Sequence, residues 1–294
     1  PEFKKIKDIA TNKNLNLFSL LDKKNGFQFL SHQYEDESQL LSIKYKNSIH
    51  NIKLNLIGKV QFKNVLMSVI ASIKSGVNIE DVLNAIPKIK SVEGRFERVG
   101  RIKNNSKVIL DYAHTPDALK TCLQNIKEQF PGKKIALVFG CGGNRDQNKR
   151  AKMGKIADLF SDKIYLTDDN PRLEQPSKIR RDIKKGIKKQ KVLEYSNRAK
   201  AITEAIKNLN TGEILLVAGK GHEKIQEIGV KKIFFSDKKI ILDAIKIKNL
   251  KLSNNLKVNI LNELSAEKKI SNQISLQKAR INSKEIKKND IFFA

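Results

Sequence analysis

Long apolar runs are missing from this sequence. None approaches the roughly 18 residues that a membrane-spanning helix needs, so a soluble chain with no membrane partner is expected. Cysteine is scarce, with Cys122 and Cys141 the two in 294 residues. Two thiols cannot build a disulfide framework, and no zinc-type ligand set accompanies them; a reducing cytoplasm is the compatible setting. The opening, Pro1-Glu2-Phe3-Lys4-Lys5, has neither an initiator Met nor a signal-peptide pattern, and the chain therefore reads as a fragment. Acidic residues are also few, 31 against 58 basic ones, for a net charge of +27. A charge of that size suits nucleic acid, but it is mostly Lys scattered over helical faces with Ile and Asn, not an Arg-rich stripe with interleaved aromatics. The pattern suggests an AT-rich coding bias, with no nucleic-acid partner expected.

What is present falls into two textures. Up to about residue 94, short alternating pieces (Gly26 to Leu30, Ser42 to Tyr45, Ile49 to Leu56) predict antiparallel strands. An apolar helix then runs to Ile73 and ends at Gly76, and a second spans Ile79 to Ile86 with Glu80 and Asp81 in its first turn, where carboxylates suit the helix dipole. Val92 to Val99 reads as a polar, hinge-like passage. Beyond it, strands and helices alternate: strands at Lys107–Leu110, Lys134–Phe139, Lys163–Leu166, Val192–Tyr195 and Glu213–Val217; helices at Pro116–Phe130, Arg150–Phe160, Pro176–Lys188 and Arg198–Leu209. This periodicity predicts an α/β fold, a Rossmann-like doubly wound and mostly parallel sheet. A strand Lys231–Phe235 and a helix from Asp237 to about Lys246 are expected to close the domain.

Four polar clusters follow four of these strands: Asp111 to Pro116, Gly140 to Asp146, Asp168 to Arg172, and Gly219 to Glu223. The carboxyl ends of parallel strands share one edge of the sheet, so the four loops should converge on one crevice. Arg145 and Arg172 can each grip a carboxylate bidentately, while Asp169, Asn170 and Glu223 can take ammonium hydrogens. That set suits an amino acid that is zwitterionic at both ends. Neither glycine loop has the spacing of a Walker loop or a dinucleotide fingerprint. Cys141 has no His or base placed to activate it as a nucleophile. Each charge taken singly is an ordinary solvated loop residue; their common edge argues for a site.

Five ordered motifs, Glu93-Gly94-Arg95-Phe96-Glu97, Asp111-Tyr112-Ala113-His114-Thr115-Pro116, Gly142 to Asp146, Asp169 to Pro176, and Ala218 to Glu223, resemble those of the MurE-type Mur ligases over about residues 1–248. The resemblance implies an ATP-dependent ligase of peptidoglycan synthesis, cytoplasmic and monomeric, that uses Mg²⁺. Its substrates would be ATP, meso-diaminopimelate and UDP-MurNAc-dipeptide. It implies that Arg145, Asp169, Asn170, Pro171, Arg172, Gly219 and Glu223 hold the diaminopimelate, and that Arg95, Asp111 and His114 lie on the ATP side of the interdomain cleft.

The sequence departs from the family pattern in two ways. It contains no Gly-Lys-Thr or Gly-Lys-Ser, so residues 1–94 are read as the tail of the central ATP-binding domain and residues 95–248 as the amino-acid-binding domain. No catalytic or metal-ligating residue is expected, and the chain alone should lack ligase activity. After a Lys-, Asn- and Ser-rich stretch, 249–278, read as a linker, residues 279–294 resemble the opening of a Mur ligase amino-terminal domain, as though a MurF-type module began there. The alternative for that segment is a disordered basic tail. For the whole chain, the alternatives are another amino-acid ligase, such as a folylpolyglutamate synthetase, which has no use for Arg172, and a basic nucleic-acid-binding module.

Overall fold

The computed structural model describes residues 2–13, 27–189, 191–264, 279–280 and 291–292. The chain divides into two units, Pro1–Val92 with Gln124–Gly132, and Glu93–Leu123 with Lys133–Ala294.

The first unit begins with α1 (Glu2–Asn12) and contains a three-stranded antiparallel sheet, β1 (Phe27–Tyr34), β2 (Gln39–Tyr45) and β3 (Ser48–Leu54), in that order. Gly26, expected in the first strand, lies outside the described residues. Helices α2 (Lys59–Lys74) and α3 (Ile79–Ala85) follow, close to where the apolar periodicity put them. Asn78 caps α3 by accepting from the Glu80 amide. The core of this unit joins Leu41, Ile43, Ile52 and Leu54, on alternating positions of the sheet, to Phe62, Leu66, Val69 and Ile70 of α2.

The second unit is built on a six-stranded sheet. Its strands are β4 (Glu97–Arg98), β5 (Lys107–Asp111), β6 (Ile135–Phe139), β7 (Lys163–Thr167), β8 (Val192–Tyr195) and β9 (Ile214–Ala218), in spatial order β4-β5-β9-β6-β7-β8. All neighbours are parallel except the β4–β5 pair at one edge. Helices α4 (Pro116–Gln129), α5 (Lys149–Phe160), α6 (Pro176–Lys184) and α7 (Arg198–Lys207) connect the parallel strands. Successive residues of β6 and β9 are buried without alternation, the pattern of strands covered on both faces. One face is covered by Ala201, Ile202, Ala205 and Ile206 of α7 together with Ile241, Ala244 and Ile245, packed on Leu110, Val138, Tyr165 and Val217. Each large apolar side chain so buried stabilises the fold by ~1.5–3 kcal/mol.

Three stretches differ in detail from the sequence reading. Val92–Val99 contains the boundary between the two units, after Val92, but is not polar throughout, because Phe96 and Val99 are buried and Glu97 enters the sheet in β4. The Glu97 carboxylate is held by the Gly94 amide at 2.8 Å and by Lys238 at 2.7 Å, partners that local sequence does not reveal. Lys231–Phe235 adds no strand to the six-stranded sheet. Its strand, β11 (Lys231–Phe234), forms a separate antiparallel hairpin with β10 (Ile225–Ile228), turning at Gly229. The last helix, α8, runs Asp237–Leu264, well beyond Lys246 and into the stretch read as a linker. Residues 265–278 of that stretch lie outside the described residues. So does most of 279–294, of which Ala279–Arg280 pairs in parallel with Ile291–Phe292. No described helix is long and apolar enough to cross a membrane.

Candidate functional site

The loops after β5, β6, β7 and β9 do converge. A cavity of about 450 Å³ is lined by Tyr112, His114 and Thr115 after β5, and by Gly140, Cys141, Gly142, Arg145, Asp146 and Lys149 after β6. Asp169, Asn170 and Arg172 after β7, with Gly219 and Glu223 after β9, complete it. Backbone bonds knit the loops together: Gly143 N–H donates to Asn170 O at 2.8 Å and Gly219 N–H to Asp111 O at 3.1 Å. Two glycines permit this closeness. A Cβ on Gly143 would collide with the Pro171 carbonyl, and one on Gly219, at φ +116°, would sit 2.6 Å from Asp169 Oδ2.

Beneath the loops lies a buried polar layer. Arg198, fully buried, donates from Nε and Nη2 to Asp237 at 2.8 and 2.6 Å, and from Nη2 to Ala218 O at 2.9 Å. Asp169 is buried beside it, and that burial raises its pKa above the ordinary carboxylate value, although Arg198 and Lys220 pull the other way. Lys220 is also fully buried. Its ammonium donates to Asn170 Oδ1 at 2.9 Å, Glu223 Oε2 at 3.0 Å and Ile225 O at 2.7 Å. Burial opposes ionisation of Glu223, yet the Lys220 ammonium and the hydrogen bonds from Asn170 and Tyr112 outweigh it and hold the Glu223 pKa below its usual value.

Arg172 adopts the left-handed region, φ 51°, and donates from Nη1 to Gly143 O at 2.9 Å while its Nε meets Glu227 Oε2 at 2.7 Å. Glu227 belongs to β10, and Arg172 bridges to that hairpin through its own backbone as well. Arg145 makes no hydrogen bond or ion pair among the described residues and lines the cavity. Asn144 and Glu174 brace this side: Glu174 accepts from the Asn144 amide at 2.6 Å and from buried Arg150 at 2.9 Å.

Of the residues singled out from the sequence, Arg145, Asp169, Asn170, Arg172, Gly219, Glu223 and His114 line this one cavity. Pro171 does not, but its carbonyl accepts the Glu174 amide at 3.1 Å in the adjoining turn. Asp111 is turned toward structure, accepting from the Phe96 and Ala113 amides, each at 2.7 Å. The Arg95 guanidinium lies 4.4 Å over the Tyr112 ring rather than in the cavity wall. Sequence reasoning missed Lys220, Arg198, Asp237 and Glu227. Lys220 sits inside a singled-out motif; the other three carry no local signal. Cys141 lines the cavity but is buried, and burial pushes its thiol up to about 12.

A mostly parallel sheet with a two-signed pocket at its carboxyl edge defines the class, an α/β domain, and its family is identifiable. Residues 94–221 match the model described as Mur ligase, glutamate ligase domain, and this part of the chain is a Mur ligase carboxyl-terminal domain. The UDP-N-acetylmuramoyl-L-alanyl-D-glutamate–2,6-diaminopimelate ligase of Rickettsia montanensis is 38% identical over 247 residues, 84% of this chain and 50% of that protein. The protein of the same name from Fusobacterium nucleatum subsp. nucleatum is 41% identical over 212 residues, 72% and 43% of the two chains. A solved structure of a UDP-N-acetylmuramoyl-L-alanyl-D-glutamate–2,6-diaminopimelate ligase matches with a TM-score of 0.62 at 28% identity, covering 82% of this chain and 50% of that one. The chain spans about half the length of the curated relatives it matches.

Proposed function

We propose that this chain supplies the amino-acid-binding part of an ATP-dependent ligase that joins meso-diaminopimelate to UDP-MurNAc-L-alanyl-D-glutamate. One observation carries the reading: Arg145, Arg172, Asn170 and Glu223, cations beside an anion and an amide, border a single cavity of about 450 Å³. A doubly zwitterionic ligand meets complementary charge there, whereas lysine leaves one guanidinium without a carboxylate. In the reaction, the ATP γ-phosphoryl group passes to the substrate carboxylate, giving an acyl phosphate and ADP. The amine of diaminopimelate then attacks the carbonyl carbon, inorganic phosphate leaves, the amine loses its proton, and an amide remains. This chain's contribution is to fix the attacking amine, so catalysis here is positioning. Arg95, Asp111 and His114 form the nucleotide side in this reading. Among the described residues no group of three or more His, Cys, Asp or Glu is gathered to hold a metal.

Isothermal titration of the chain with meso-diaminopimelate and with lysine tests the proposal. Preferential heat with diaminopimelate is expected; equal binding of both, or of neither, would overturn it.

A further inference from the structure

Asn170 was expected to accept ammonium hydrogens, but its surroundings forbid that role. Its Oδ1 already receives two hydrogen bonds, from Lys220 Nζ at 2.9 Å and from the Glu227 amide at 3.0 Å. Both partners are pure donors, so the side-chain amide has one permitted orientation: oxygen inward, nitrogen outward. The nitrogen then donates one hydrogen to Glu223 Oε2 at 3.1 Å, and its second hydrogen has no partner among the described residues. The Lys220 ammonium has three hydrogens and three acceptors, Asn170 Oδ1, Glu223 Oε2 and Ile225 O, and the residue is fully buried. It can neither rotate to serve a ligand nor be reached by one.

We infer that Lys220 is a positioning residue that fixes Asn170 as a donor and thereby dedicates it to a ligand carboxylate, leaving Glu223 to take the ligand ammonium. This assignment rests on the diaminopimelate reading above for the identity of the ligand, but the lock itself is a property of the free protein. Asn170 and Arg172 line the same cavity two positions apart, so the carboxylate they share is the one diaminopimelate has and lysine lacks. A flipped or mobile amide would present its oxygen to that carboxylate and repel it. Lys220 thus sets selectivity without touching the substrate.

Two measurements on the full 294-residue chain separate the lock from its use. In ¹⁵N- and ¹³C-labelled, ligand-free protein, a Lys220 ammonium resonance, assigned by through-bond correlation along its own side chain, is expected to exchange slowly at neutral pH and to show proximity to the Asn170 side chain. Fast exchange like that of surface lysines would overturn the lock. In titrations, folded Lys220→Met is expected to lose diaminopimelate affinity by roughly 10- to 100-fold, the effect of one charge-assisted hydrogen bond, while lysine binding changes by less than about 3-fold. Parallel loss of both ligands, as a general structural defect would give, or no loss, would overturn the positioning role. If Lys220→Met does not fold, Asn170→Asp provides the same reading. It keeps an acceptor for Lys220 but has no donor, so the same selective loss is expected, and retained preference for diaminopimelate would sink the idea. If the wild-type chain binds neither amino acid, the ligand reading fails and so does Lys220's part in selectivity, whereas the resonance still decides the lock.

Discussion

Replacing Arg198 by Met isolates what the buried layer under the site contributes. Arg198 and Asp237 are both wholly excluded from solvent, and the arginine makes three hydrogen bonds, two to Asp237 and one to Ala218 O. The substitution keeps most of the side-chain volume, so cavity formation adds little; what it removes is the partner of a fully buried carboxylate. Asp169, buried close by, loses a compensating cation at the same time. Breaking a buried pair by removing one member costs ~3–5 kcal/mol, because the orphaned charge stays in a low-dielectric surrounding. For a unit of this size that corresponds to a fall in melting temperature of roughly 6–20 °C. Hydrogen exchange of the β9 amides reads the effect locally, since Leu215, Leu216 and Val217 are fully buried and exchange through opening of this sheet. Their protection should fall by a factor of roughly 10² to 10³ or more, and replacing Asp237 by Leu in the same chain should restore a large part of it, since the orphaned carboxylate is then gone. A loss below ~1 kcal/mol in the single variant, or a double variant as damaged as the sum of the singles, would refute the claim that the pair is held by mutual compensation.

Other expectations follow from the same geometry. Gly219→Ala places a methyl 2.6 Å from Asp169 Oδ2 in a left-handed backbone, so it should cost ~1–2 kcal/mol in strain alone and weaken diaminopimelate binding; unchanged melting and titration curves would contradict it. Arg172→Ala should reduce diaminopimelate affinity by roughly 10-fold or more while sparing lysine, as read by the same titration. The acid limb of stability should respond in opposite senses to two substitutions. Glu223, with its pKa lowered, contributes stability that is present above the unfolded carboxylate value and lost as pH falls through the folded one, so Glu223→Gln should flatten that loss. Asp169, with its pKa raised, contributes stability present below the unfolded value and lost as pH rises through the folded one, so Asp169→Asn should remove that decline. Urea titrations from pH 3 to 7 would expose an error of sign in either.

The alternation of apolar runs and amphipathic helices made nearly every element of the second unit legible, because β6, β7 and β9 are buried on both faces and bounded by turn residues. The convergence of loops was legible for the same reason: parallel strands put their carboxyl ends on one edge. Three kinds of feature were not. Glu97 pairs with Lys238, Arg198 with Asp237, and Arg172 with Glu227, partners brought together only by tertiary structure. The two-residue strand β4 is too short to show a period. Lys220 stood in plain view inside a glycine-flanked motif, but a lysine in a loop reads as solvated, and its burial follows from the backbone turn at Gly219 and Gly221.

The position of β9 also has a consequence for how the molecule comes into being. The fifth parallel strand in the chain lies between the first two, β5 and β6, and pairs with both. Until residues 214–218 have left the ribosome, β4–β5 and β6–β7–β8 are separate ribbons, each with an apolar edge open to unwanted pairing. The same strand delivers Gly219, Lys220 and Glu223, so the act that seals the sheet is also the act that finishes the pocket. A nascent chain stalled before Ile214 therefore has every other loop of the site and no site.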